Sequence, residues 1–219
     1  MEKLILSWLD IWLYVILAIG IIDGVLLAVN WKKYNPIMRL SVIGGITLVA
    51  HVWEEWVLPG GFGYIYNDGC LNYPMNRLSD MTTNLMGVLT ISVIGFYWAY
   101  RTFKGKSINQ TFVTRTGICV FLISVLEGFM HIKGGINYLD TYGFYNPGLA
   151  TTIFMFLPIA VFFFISFRKN KPTKKDWLIG AIATMVVFLV MIILPEAIFK
   201  DPNSPFGYPN AGWYQQFLE

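Results

Sequence analysis

Charge is scarce in this chain. Of its 219 residues only 13% are Asp, Glu, Lys or Arg, while 56% are hydrophobic and the mean hydropathy is +0.56. Ordinary soluble domains carry about 25% charged residues, so a water-exposed globular fold is excluded and a multi-pass protein of the cell membrane is expected. Cysteine is also nearly missing. Cys70 and Cys119 stand alone, without the paired spacing of a thiolate metal site. The topology argued below puts Cys70 in an outer loop and Cys119 in the inner half of a helix, which excludes a bridge between them. Histidine is limited to His51 and His131. The net charge of +3 invites a nucleic-acid reading, but the basic residues lie in short loops between apolar runs rather than along one face with interleaved aromatics. Membrane lipids, and no nucleic acid, are therefore the expected partners.

Six apolar runs follow one another, each long enough to cross a hydrocarbon layer of about 30 Å at about 1.5 Å per residue. They cover roughly Leu4 to Trp31, Ile37 to Leu58, Met75 to Tyr100, Thr111 to His131, Leu149 to Phe167 and Trp177 to Phe199. Met1-Glu2-Lys3 leads into a run too long for a signal peptide and without a small-residue cleavage site, so the first run is read as a retained helix. Pro59-Gly60-Gly61 stops the second run, and Lys133-Gly134-Gly135 is expected to close the fourth. Residues 1–200 thus read as one transmembrane helical domain. Residues 201–219 read as a tail of Pro, Gly, Asn and aromatics that can lie on the outer surface as a lid.

Twelve Lys and Arg residues flank the first, third and fifth connections, against four elsewhere. The bias of positive charge toward the cytoplasm then places both termini outside. With that topology His51, Glu54 and Glu55 fall at the outer end of helix two, Arg77, Asp80 and Asn84 at the outer start of helix three, and Glu127 and His131 at the outer end of helix four. Asp10 and Glu196 sit toward the outer ends of helices one and six and read as interface residues. Asp23 alone lies toward the cytoplasm, where it suits a polar helix-packing contact. A charge at a helix centre costs about 2.5–3.5 kcal/mol on the insertion scale, so acids gathered at one depth should face each other or a wet cavity.

The chemistry concentrates at that depth. His51 and Glu55 are four residues apart, as are Glu127 and His131, and side chains at that spacing share a helix face with Cβ atoms about 5–6 Å apart. Two such helices offer two imidazoles and two carboxylates to one cation, a set suited to zinc, iron or manganese. Glu54, rotated by about 100° from Glu55, can bind a second ion, act as general base on water, or simply mark the interface beside Trp53 and Trp56. Asp80 can serve catalysis or pair with Arg77; Asn84 and Arg77 can orient the site from behind. Each histidine alone would more readily be an ordinary hydrogen-bonded core residue; both beside glutamates at one depth favour the site. The spacing is neither the HExxH of zinc proteases nor the Glu-x-x-His of di-iron bundles. A weak repeat, matching at four of ten positions between 60–69 and 134–143, suggests a duplicated helix pair.

His51-Val52-Trp53-Glu54-Glu55 resembles the motif of the HXXEE family of small bacterial membrane proteins, and Glu127 and His131 resemble that family's further glutamate and histidine. The resemblance implies an enzyme-like site without naming a reaction. The expected fold is all-α, a polytopic membrane bundle of about six transmembrane helices. The expected activity is that of a metal-dependent hydrolase open to the extracytoplasmic side, with His51, Glu55, Glu127 and His131 on one or two zinc-like ions and Glu54 activating water. A site at interfacial depth suits an amphiphilic, lipid-like substrate. A metal-free acid/base lipid isomerase using Glu54 and Glu55, or a proton- or cation-coupled transporter, would use the same carboxylates.

Overall fold

The computed structural model describes residues 2–64, 76–201, 203–208 and 211–217. It is all-helical, and six of its helices are long and apolar enough to cross a membrane, which makes this a multi-pass membrane protein. They are α1 (Glu2–Asn30), α2 (Pro36–Trp56), α3 (Arg77–Phe103), α4 (Gln110–Asn137), α5 (Leu149–Asn170) and α6 (Lys174–Phe199). Five agree with the apolar runs to within a few residues at each end. Met75, the expected start of the third, lies outside the described residues, as does Cys70.

Polar residues in the connections set the helix starts. Asn35 accepts a hydrogen bond from the Met38 amide with Pro36 at the first helical position, Asn109 accepts from the Thr111 and Phe112 amides, and Asn76–Ser79 and Thr173–Asp176 form reciprocal capping boxes. Each side chain satisfies amides that the helix itself leaves without a partner. The α5 start differs: Gly148 precedes it in a left-handed conformation (φ +97°), and no side chain of that segment caps it.

The hub is α2, which packs against α1, α3, α4 and α5. More than half of its apolar window is buried, against 6% for α6, whose Leu178, Ile182, Met185 and Leu189 stay exposed as lipid-facing residues do. In a bilayer helices gain little by hiding apolar surface from one another, so close approach at small residues has to hold them. Gly44 and Gly45 provide it, since a Cβ there would come within 2.6 Å of Val120 on α4 and 2.7 Å of Ile91 on α3. Asp23 is buried and accepts a 2.5 Å hydrogen bond from Ser92 Oγ, a polar contact that ties α1 to α3. Burial, and then Asp23, pushes the nearby Tyr34 hydroxyl up to about 12.

Two expectations change. The fourth helix does not stop at Lys133-Gly134-Gly135 but runs on to Asn137, because Gly135 is needed where the Phe144 main chain crosses it rather than as a terminator. The suggested repeat also has different backbones in its two copies: Gly60 and Gly61 follow α2 with positive φ, whereas Gly134 and Gly135 are helical. Residues 65–69 of that repeat lie outside the described residues.

The tail folds back over the end of the bundle that carries both termini. The Arg77 amide donates to the Phe206 carbonyl and the Trp213 amide to the Gly60 carbonyl, while Tyr214 is buried among Tyr64, Tyr138, Tyr142 and Trp213. Replacing Gly44 with leucine should force α2 and α4 apart and lower stability by about 1–3 kcal/mol. Thermal unfolding in detergent reads this as a lower midpoint, and an unchanged midpoint would show that α2 is not held by this approach.

Candidate functional site

The last two turns of α2 carry His51, Glu54 and Glu55, and α4 carries Glu127 and His131 at the same end of the bundle. The contact between α2 and α4 brings four of them together. His51 Nε2 lies 3.3 Å from Glu55 Oε1 and 3.6 Å from Glu127 Oε2; His131 Nε2 lies 3.6 Å and 3.8 Å from the same two atoms. The imidazoles meet edge to face, 4.8 Å between centroids, and Phe156 packs on His51 from the other side. His51, His131 and Glu55 are buried, whereas the Glu127 side chain is 24% exposed.

The far nitrogens of both rings are held as well. His131 Nδ1 is 2.7 Å from Asn146 Oδ1, and the same amide donates its N–H to the His131 carbonyl, which turns Oδ1 toward the ring. His51 Nδ1 is 2.8 Å from Thr151 Oγ1, and the Thr151 hydroxyl donates to Glu54 Oε2 at 2.7 Å. Each Nδ1 therefore faces an acceptor lone pair and carries a proton, so that in the neutral ring it is the lone pair of Nε2 that turns inward. Gly148 makes room for this arrangement. Any Cβ at 148 would overlap both rings, coming within 2.7 Å of His51 Cε1.

With neutral rings, two inward lone pairs and two carboxylate oxygens face one another and repel unless something positive lies between them. The spacings tell which kind of positive group fits. A proton shared between imidazole and carboxylate draws its partners to about 2.7–2.9 Å, shorter than any of the four distances. A tetrahedral ion with bonds of about 2.0–2.1 Å sets its ligand atoms about 3.3–3.4 Å apart. His51, Glu127 and His131 can offer ligand atoms that all lie within 4.8 Å of one another, while Glu55 falls outside that set and meets the two imidazoles at 3.3 and 3.6 Å.

Glu54 faces elsewhere. Its oxygens accept from the Ala150 amide (2.9 Å), the Thr151 amide (2.7 Å), the Thr151 hydroxyl (2.7 Å) and the Tyr145 hydroxyl (2.8 Å). It is thus the missing cap of α5, supplied from α2, and it does not line the cavity beside the four-residue cluster. Glu54, read from sequence as a group that could activate water, is placed instead on unpaired amides at the positive end of a helix, which attract a carboxylate strongly. Burial and the neighbouring Glu54 charge push the Tyr145 hydroxyl upward, so Tyr145 remains a donor.

The cavity holds about 270 Å³. His51, Glu55, Glu127 and His131 form one wall, and Asp80, Asn84 and Glu196 also line it, with Leu48, Leu126, Met130, Phe188 and Ile192 as apolar surface. Asp80 is buried and receives hydrogen bonds from Asn84 Nδ2 (2.9 Å) and the Tyr208 hydroxyl (3.2 Å). Burial and Asp80 raise Tyr208 well above its usual range, keeping it a donor too. Among the described residues Arg77 forms no ion pair with Asp80 and does not line the cavity. Glu196, read from sequence as an interface residue, is buried in this lining instead.

The model of the family described as "Protein of unknown function with HXXEE motif" matches residues 42–163. The chain belongs to the HXXEE family. No curated protein and no solved structure matches it. The HXXEE region spans every residue of the His/Glu cluster together with Asn146 and Thr151, and ends before Glu196 and Tyr208. Asn146, Gly148 and Thr151 had no periodic pattern to single them out, although Asn-Pro-Gly ahead of an apolar run is a loop-to-helix signal. In this HXXEE protein a Glu54→Ala variant should lose about 3 kcal/mol by stranding buried donors. Denaturant unfolding measures it, and full stability would mean that α5 does not depend on this cap.

Proposed function

We propose that the chain is a membrane-embedded, metal-dependent hydrolase acting on an amphiphilic, lipid-like substrate. His51, His131, Glu127 and Glu55 would hold a divalent cation of the zinc class, with iron or manganese satisfying the same donor set. The observation that supports this most is the pair of inward Nε2 atoms opposed to two carboxylate oxygens at 3.3–3.8 Å. A zinc-class ion supplies Lewis acidity to a carbonyl or phosphoryl oxygen.

The chain's own residues do the rest. Thr151 and Asn146 hold the imidazoles in the tautomer that leaves Nε2 free, and Glu54 acts one step further out by fixing Thr151. Asp80, oriented by Asn84 and Tyr208 within the same cavity, is the group placed to take a proton from water. The clustering of Lys and Arg on the other connections supports a site at the extracytoplasmic side of the cell membrane. A metal-free acid/base reaction, such as a lipid isomerisation, is the second reading, and the Asp80 carboxyl beside the cluster favours it.

Elemental analysis of the detergent-purified chain should find about one zinc-class ion per chain, lost in His51→Ala and His131→Ala. Asp80→Asn should keep the ion and lose turnover. Metal-free protein whose activity still depends on Asp80 would favour the second reading and end the first. Asn146→Leu and Gly148→Ala, which keep every proposed ligand residue but disturb how the imidazoles are held, should weaken metal binding by about 10–100-fold, as read by competition with a chromophoric chelator.

A further inference from the structure

The cavity wall beside the His/Glu cluster holds a carboxylate that nothing in the proposed reaction uses. Glu196 stands on α6, 8% exposed and part of the cavity lining; its carbonyl accepts from the Lys200 amide, but its carboxyl makes no hydrogen bond or ion pair with any described residue. Asp80 lines the same cavity, and its hydrogen bonds come from neutral donors, Asn84 and Tyr208. With Glu55 and Glu127, four carboxyl groups share one small space. Among the described residues the only lysine or arginine in the lining, Lys133, is itself exposed, its ammonium 5.7 Å from the Phe129 ring. A buried carboxylate without a cation is costly, so Glu196 either keeps its proton or takes its positive partner from something that enters the cavity, and an entering cation would find it unengaged.

A second metal ion does not fit that need. Small ions require several donor atoms at one point, and among the described residues the group that converges in this way is His51, Glu127 and His131, without Glu196 or Asp80. An organic ammonium needs no converging donor set, since its three N–H donors diverge and one can meet a carboxylate that stands apart from the others. The remaining lining suits what such a group would carry, since Leu126 and Met130 on α4 and Phe188 and Ile192 on α6 form an apolar wall.

We infer that the cavity binds an amphiphile with a protonated amine in its headgroup, the ammonium on Glu196 and the alkyl chain against α4 and α6. This rests on the hydrolase reading for the cluster beside it and names the substrate class of that site. Asp80 adds to the negative field and stays free of a direct ion pair, which leaves it able to accept a proton. The selectivity is then electrostatic: an alkyl chain ending in a hydroxyl would lack the attraction, and one ending in a carboxylate would meet repulsion.

Calorimetric titration of the full chain in a maltoside detergent at pH 7 tests this with octylammonium, octanol and octanoate. Octylammonium should bind roughly tenfold or more tightly than octanol, a difference of about 1.4 kcal/mol or more, and octanoate should bind most weakly. Glu196→Gln should abolish the preference for the ammonium while its metal content matches the unaltered chain. Equal affinity for octylammonium and octanol in the unaltered chain overturns the inference without relying on any variant, as does a preference that survives Glu196→Gln. Metal content measured on the same samples separates the two readings. Ammonium selectivity in metal-free protein would leave this inference standing and remove the hydrolase, and bound metal without selectivity would do the reverse.

Discussion

The site depends on one buried carboxylate that does not belong to it. Glu54 reaches from the end of α2 to the start of α5 and takes up the Ala150 and Thr151 amides together with the Thr151 and Tyr145 hydroxyls. Without it, α5 would begin inside the protein with its first amides unpaired, behind a glycine that can cap nothing. Because Thr151 gives its proton to Glu54, its oxygen can only accept from His51, and this sets the tautomer of a ring 100 residues away in sequence. The two adjacent glutamates of the motif therefore have different tasks. Glu55 faces the cluster, and Glu54 fixes the segment that orients it.

Gly148 closes the same arrangement from the other side. Its left-handed backbone lies against both imidazoles, so the loop that supplies Asn146 and Thr151 also forms the floor on which the rings meet. A membrane bundle gives few ways to hold polar groups rigidly, since lipid offers them no partners. Here the rigidity comes from a chain of charge-assisted contacts running from the α5 amides through Glu54 and Thr151 to His51, with Asn146 doing the same for His131.

Much of this was legible in the sequence. Six helices followed from six apolar runs, and the grouping of His51, Glu55, Glu127 and His131 followed from two four-residue spacings at one depth, because a helix brings i and i+4 together whatever surrounds them. What could not be read were partners set by tertiary contact. Glu54 finds its donors 91 to 97 residues away, and no periodicity connects a helix end with the start of another. Glu196 looked like an interface charge because its neighbours are apolar and its helix is otherwise exposed; only the packing of α6 against α3 and α4 turns it inward. Gly134 and Gly135 looked like a helix stop because the crossing of Phe144 is invisible in the chain itself.

The position of Asp23 bears on the class of activity. A carrier that moves a proton or cation across the membrane needs ionisable groups that exchange partners at successive depths. Asp23, the acid read as lying toward the other face, is instead bound to Ser92 at a helix contact, while Glu55, Asp80, Glu127 and Glu196 line one cavity. Negative charge gathered at one depth concentrates the electrostatic field in one place rather than along a path. That distribution suits an event at a fixed point, in keeping with the acids forming the walls of one cavity.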